Sequence, residues 1–452
     1  MNSSREERSS QDLAVGFSTS VAMWAIGYVA MMRPGVVAGE ALFVLILATA
    51  LAGGFIAGKF AAGGSLGAGA AHGARAGLWS AAANLLIVGS LFGGDTDASV
   101  WSALAIWVGG LFAATTLIMA LGGAIGARGV RWTPRLSTSA VFARATCVAI
   151  FLLLVTGGLV TGLEAGLAVP DWPNSFGHNM LLYPLAEMKG GVYYEHAHRL
   201  YGMLVGVSSL ALLVLVLRSE RSGTVRALAI AGFVMVCAQG VMGGMRVTGR
   251  LTLDQNAAAM QPSLALAVVH GVFGQIVFAT YCLLATLLGP KWKNESITPI
   301  PECARARITS AILVAVLLIQ LISGALYRHL QVPQLDAAPK HPAWAMHLHV
   351  TWAAVAFVVT LLVGLRAMRV SSAAVPLRAV GHALLMFVGL QVAFGIGSLV
   401  MVILRKGAEI PTLEIVFTSL HQSTGALLLG ASVVLAAWWR RVSEQSQASA
   451  RA

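Results

Sequence analysis

About a dozen apolar runs, each near twenty residues long, follow one another along this chain, at 13–32, 38–58, 77–94, 101–126, 141–163, 193–217, 227–246, 263–289, 308–327, 344–365, 379–404 and 415–438. At 1.5 Å of helix rise per residue, each can cross the ~30 Å hydrocarbon core of a bilayer. Inside that core every backbone N–H and C=O must find a partner, which leaves helices or a closed barrel. No strand-like alternation is present, and apolar residues surround most runs rather than marking one face. The sequence therefore predicts an all-α polytopic membrane protein with about twelve transmembrane helices. Composition agrees: 57% of residues are hydrophobic and 11% charged, with a mean hydropathy of +0.79, whereas soluble chains carry roughly 25% charged residues. A soluble enzyme, a disordered scaffold and a nucleic-acid binder are excluded, because a net charge of +12 on so apolar a chain is loop charge rather than a basic groove.

The loop charge alternates. From residue 128 onward one set of connections carries seventeen lysines and arginines, among them Arg128, Arg131, Arg135, Arg218, Arg305, Arg366 and Arg440. The opposite set carries seven: Lys189, Arg246, Arg250, Arg328, Lys340, Arg405 and Lys406. The positive-inside rule places the first set and the C-terminus in the cytoplasm, and twelve spans place the N-terminus there too. The first apolar run has the length of a full span and no clear small-residue cleavage site, so it reads as retained. Cys147, Cys237, Cys282 and Cys303 form no CxxC motif and no pair in an outer loop, so no structural disulfide is expected.

Arg128-Gly-Val-Arg-Trp-Thr-Pro-Arg135 marks a boundary. Residues 1–127 hold four spans rich in Gly and Ala, including Gly54-Phe-Ile-Ala-Gly58, which suit close helix contact. They contain one histidine, His72, beside an inner loop, and read as packing or partner contact. The eight later spans divide into residues 128–300 and 301–452 by a repeat: His198 to His270 and His349 to His421 are each 72 residues, while His198 to His349 and His270 to His421 are each 151. His196-Ala-His198 matches His347-Leu-His349, and Gln239-Gly-Val-Met-Gly-Gly resembles Gln391-Val-Ala-Phe-Gly-Ile-Gly. Two four-helix bundles related by a pseudo-twofold axis are expected.

His198, His270, His349 and His421 all fall ~8–11 Å below the outer boundary of their spans. Four imidazoles at one depth on alternate helices are what two bis-histidine haem sites require. A zinc site is the poorer alternative, since only Glu195 lies at useful helical spacing from one of them, His198. A helix turns His196 and His347 roughly 200° from His198 and His349, so one member of each pair faces a common pocket, and spacing alone does not choose. Glu195 lies three residues before His198 on the same face, where a carboxylate at the membrane edge is a functional candidate. Its alternative is a solvated helix start complementing the helix dipole.

Gly162-Leu-Glu-Ala-Gly-Leu-Ala-Val-Pro-Asp171-Trp172-Pro173, Glu195-His-Ala-His198-Arg199, Gln239-Gly-Val-Met-Gly-Gly, His270 and His421-Gln422 together resemble the haem A synthases over roughly residues 140–440. That resemblance implies an oxidoreductase of cytochrome oxidase assembly in the bacterial cytoplasmic membrane. It would oxidise the C8 methyl of haem O to the formyl of haem A by successive hydroxylations. It also implies a haem b prosthetic group on His349 and His421, haem O as substrate on His198 and His270, and Glu195 as the catalytic acid. Haem O synthase is the expected partner because it makes the substrate, while the electron donor and any homo-oligomer are left open.

The chain departs from the family in lacking a cysteine pair in the outer loop and in placing Val350, not Arg, after His349. Arg199, Arg246 and Arg250 stand near the outer boundary, either as partners for haem propionates or as ordinary interface arginines. The long connection from Leu163 to Tyr193 is the candidate lid. A di-haem electron-transfer protein would use the same four histidines without needing Glu195 or the Asp171-Trp172-Pro173 loop, and a haem transporter would release its haem unmodified.

Overall fold

The computed structural model describes residues 2–31, 39–61, 65–88, 98–128, 132, 136–248, 264–294, 300, 303–330, 332–334, 337–370, 376–407 and 409–451. Among them the helices are α1 (Asn2–Met31), α2 (Gly39–Lys59), α3 (Leu66–Val88), α4 (Ala98–Gly126), α5 (Thr138–Gly162), α6 (Gly191–Ser219), α7 (Gly223–Thr248), α8 (Leu264–Leu287), the short α9 (Pro290–Asn294), α10 (Cys303–His329), α11 (Ala343–Met368), α12 (Leu377–Leu404) and α13 (Thr412–Arg451). Two small hairpins are β1 (Asn174–Ser175) with β2 (His178–Asn179), and β3 (Val332–Gln334) with β4 (Ala337–Lys340).

Eleven of the described helices are long and apolar enough to cross a membrane, and the protein is an all-α polytopic membrane protein. The twelfth long helix, α3, starts eleven residues before the apolar run at 77–94. The Gly- and Ala-rich stretch that hydropathy passes over is helical, and it brings His72 and Arg75 into the helix. Residues 89–94 of that run, with Arg131, Arg135 and Arg250, lie outside the described residues.

The helices pack as two units. The first holds residues 1–153 and 168–221, which is α1 to α4, the first part of α5, the β1–β2 hairpin and α6. Here α1 and α3 run in parallel with a constant offset of sixty residues. Asp12 Oδ1 meets His72 Nδ1 at 2.7 Å, Ser20 Oγ meets Ser80 Oγ at 2.9 Å, and Trp24 Nε1 donates to Asn84 Oδ1 at 2.9 Å. Apolar burial does not drive association in lipid, so such bonds and close packing supply the contact. The close packing lies on α4, where a Cβ on Gly58 of α2 or Gly73 of α3 would strike the backbone at Gly123 or Met119.

The second unit holds residues 154–167 and 222–452. Within it α10, α11, α12 and α13 form a closed ring, each packed on the next and α13 returning to α10, with α8 against α13 and α10 and α7 against α8. The ring interior is filled by Leu313, Val363, Leu384, Leu435 and Trp438, and Trp352 Nε1 pins α11 to α10 through the Val316 carbonyl at 2.9 Å.

Candidate haem-binding site

The four histidines each stand on the opening turns of a helix: His198 seven residues after the start of α6, His270 six after that of α8, His349 six after that of α11 and His421 nine after that of α13. Within the second unit the fold brings two together. The rings of His349 and His421 have centroids 6.2 Å apart and planes at 86°. Two imidazoles bound to one metal from opposite sides, at about 2 Å each, place their centroids about 6 Å apart, so the pair has the separation of a bis-histidine site. His347 is exposed on the other side of α11 while His349 turns inward, parallel to the Tyr327 ring at 6.4 Å.

Glycines make that inward turn possible. A Cβ on Gly324 of α10 would lie 2.7 Å from His349 Cε1, and one on Gly395 of α12 would lie 2.8 Å from His421 Cε1. These cradles fit the pair to a shared group between the rings. A glutamine precedes each glycine by four residues. Gln320 Nε2 is 3.1 Å from His349 Nδ1, with Ser323 Oγ at 3.2 Å, and His421 Nδ1 donates to the Gln391 carbonyl at 3.0 Å. A glutamine and glycine at the same spacing stand on α7, but there Gln239 Nε2 donates to the His270 backbone carbonyl at 3.0 Å rather than meeting its ring, and a Cβ on Gly243 would lie 3.4 Å from His270 Cε1. Two of these glutamine segments, at Gln239 and Gln391, are recognisable in the sequence as a repeat, though without a role. Gln320-Leu-Ile-Ser-Gly324 is the third, and the signal that joins all three is that each glutamine lies 29 to 31 residues before its histidine.

In the first unit the acid at the start of α6 is not a solvated helix start. Glu195 is 4% exposed. Its Oε1 accepts from Arg199 Nη2 at 2.7 Å and its Oε2 accepts the Val169 N–H at 2.9 Å. Arg199 also donates to the carbonyls of Val169, Asp171 and Asn174, at 2.7, 2.7 and 3.0 Å. Asp171 in turn accepts the N–H groups of Phe176 and Gly177 at 2.7 and 2.8 Å. Burial alone would push the Asp171 carboxyl up, but those two N–H donors, with the Arg199 guanidinium behind them, more than offset it and hold it below the ordinary carboxylate range. His196 is fully buried against this loop, with Nδ1 3.1 Å from Ser175 Oγ and its ring 5.0 Å from that of Tyr183. His198 is half-buried.

Arg199 is thus engaged with the loop backbone, and Arg246 lies against Gly166, where a Cβ would come within 2.9 Å of its Nη2. A charged cluster with no signal in the sequence stands at the histidine-bearing end of the α10–α13 ring. Arg405 and Glu414 are buried and 3.4 Å apart, and Arg328 Nη2 donates to the Thr161 carbonyl at 2.6 Å. In the sequence both arginines belong to the outer set of loop charges, which gives no sign of this cluster. Among the described residues no three His, Cys, Asp or Glu side chains converge as a metal-ion cluster.

Fold and site define a polytopic helical membrane protein with an opposed imidazole pair inside a four-helix ring. Residues 140–433, well over half of the chain, match the family described as cytochrome oxidase assembly protein, and the chain belongs to that family. The match leaves α1 to α4 outside it. Among curated relatives, Heme A synthase of Azorhizobium caulinodans is 27% identical over 46% of this chain and 62% of its own length. Heme A synthase of Bacillus cereus is 30% identical over 30% of this chain and 39% of its own. Protoheme IX farnesyltransferase of Haloarcula marismortui is 30% identical over 34% of this chain and 30% of its own. The chain spans less than two thirds of the length of each of these relatives.

Proposed function

We propose that this chain is a haem A synthase that oxidises the C8 methyl of haem O to a formyl group, with haem b held between His349 and His421. The carrying observation is the opposed pair at 6.2 Å, each ring cradled on a glycine, in a chain of this family. Haem b supplies the redox chemistry, which no side chain offers. His349 and His421 would hold it, and Arg328 and Arg405, engaged with Thr161 and Glu414, lie at the same end of the ring, where their charge would favour its carboxylates. The substrate haem is assigned to His198 and His270 by the histidine repeat and the family resemblance. Glu195 holds or moves a proton at Oε2, while Arg199 fixes Oε1 and the loop above it.

The proposed substrate carries a farnesyl chain that another enzyme must attach, so haem O synthase is the proposed partner. The positive-inside pattern supports a cytoplasmic-membrane location with both termini inside.

The test is haem extraction and mass analysis from membranes of a host lacking its own haem A synthase, with this chain expressed alone or with haem O synthase. Haem A or its hydroxylated precursor is expected only when both are present. Haem O accumulating untouched, beside a folded chain, bound haem b and a competent electron donor, would overturn the proposal.

A further inference from the structure

The glutamine-x-x-x-glycine segment occurs on α7, α10 and α12, each time on the helix before a histidine-bearing one, and each glycine faces the imidazole edge. The fourth histidine, His198, follows α5, which has no glutamine. Helical Cβ atoms tilt toward the N-terminus, over the preceding turn. A glycine four residues on therefore uncovers the glutamine carbonyl and lets a ring approach it, as the Gln391 carbonyl accepts from His421 Nδ1 at 3.0 Å across Gly395. At His349 the Gln320 side-chain amide stands 3.1 Å from Nδ1 while its oxygen has no other partner among the described residues; turned with that oxygen to the ring it accepts from Nδ1–H, beside Ser323 Oγ, which lies at 3.2 Å and donates its own hydrogen to the Gln320 carbonyl at 2.9 Å. His270 differs. Gln239 reaches its backbone carbonyl, and His270 Nδ1 is buried with no hydrogen-bond partner among the described residues.

A hydrogen bond accepted from Nδ1–H leaves Nε2 bare for iron, fixes the ring's orientation and raises its basicity. We propose that these glutamine-glycine segments are positioning devices for iron-ligating imidazoles, and that their unequal hydrogen bonding separates a retained haem from an exchanged one. His349 and His421 are anchored at Nδ1 and keep their haem, whereas His270 is unanchored and lets its haem go. This rests on the haem assignment above. It adds why two sites built on one repeat behave differently, as a prosthetic group and a substrate must.

The experiment uses the full-length chain purified with its resident haem, filled with added haem b as the probe for the second site and mixed with excess apomyoglobin as haem acceptor. Two phases of haem loss are expected, the fast one missing in His270→Ala and the slow one missing in His421→Ala. Ser323→Ala speeds the slow phase about tenfold and raises the midpoint potential of that haem, and Ser323→Thr, which keeps the hydroxyl, restores both. Gly324→Ala, whose Cβ falls 2.7 Å from the ring, disturbs the slow phase more than Gly243→Ala, at 3.4 Å, disturbs the fast one. Equal rates, a slow phase that belongs to His270, or no effect of Ser323→Ala on rate and potential overturns the inference while leaving the haem assignment standing. A folded wild-type chain that binds no haem overturns both.

Discussion

Glu195 and Arg199 are a buried pair whose worth depends on staying complete. Removing one partner from such a pair leaves an uncompensated charge and costs on the order of 3–5 kcal/mol. Arg199 has three carbonyls to fall back on, which softens the loss of Glu195. Glu195→Gln keeps the shape and the bond from Val169 but gives up the negative charge. It is expected to lower haem A output at least tenfold with haem O in excess, while the haem b spectrum is unchanged, as read by haem extraction beside difference spectroscopy. Normal output would remove Glu195 from the chemistry. Asp171 makes a pH prediction. Its folded pKa is lowered, so its contribution is fully present above the unfolded value of about 4 and is lost as pH falls through the lower folded value. Limited proteolysis of the 163–190 loop is expected to accelerate only below about pH 4 in the natural chain, and already at neutral pH in Asp171→Asn. The sequence marked Glu195 as a candidate because a carboxylate at the membrane edge is conspicuous. The work of Arg199 was hidden because its carbonyl acceptors lie 25 to 30 residues away on a loop with no periodic signal.

At the level of elements, hydropathy located the helices well and their ends less well. The last apolar run stops at residue 438, yet α13 continues to Arg451, because charged residues end a hydropathy run without ending a helix. There Arg440 and Glu444 form an i,i+4 pair at 2.9 Å that favours continuation. The lid candidate is a built element rather than a slack connection. Its two-residue turn, Phe176 and Gly177, has both φ angles positive, at 50° and 78°, the hand that suits a tight hairpin. Phe176 takes that conformation without being glycine, held by Asp171 below and ring contact with Tyr183 at 5.6 Å. Deleting Asn174 to Met180 removes the Ser175 contact to His196 and one acceptor of Arg199. It is expected to cut turnover and weaken substrate affinity several-fold in assays on membranes supplied with haem O. Unchanged kinetics would show that the loop covers nothing.

For the molecule as a whole, the sequence displays the recurrence of 72 and 151 residues between histidines, whereas the packing units leave no such mark in it. α5 is shared between the two units at Leu153, and nothing in its apolar sequence says which of its faces meets which neighbour. The four N-terminal helices are where this matters. In the first unit α1 lies against the helices that carry the loop: Phe17 stacks on Phe142 of α5 at 4.7 Å, Trp24 meets the Tyr201 ring of α6 at 5.3 Å, and Tyr193 donates to the Tyr28 carbonyl at 2.9 Å. Tyr193 and Tyr201 flank Glu195 and His198 along α6, so α1 steadies the helix that bears both. Every contact described for His349 and His421, by contrast, lies in the second unit. A chain beginning at Gly129 is therefore expected to keep its haem b spectrum, an internal sign that the ring of α10 to α13 has folded. Its conversion of haem O should fall several-fold, because α6 has lost its partner. If conversion stayed level and haem O synthase still co-purified, α1 to α4 would have no part in either step; if haem b disappeared as well, the two units would depend on one another for folding.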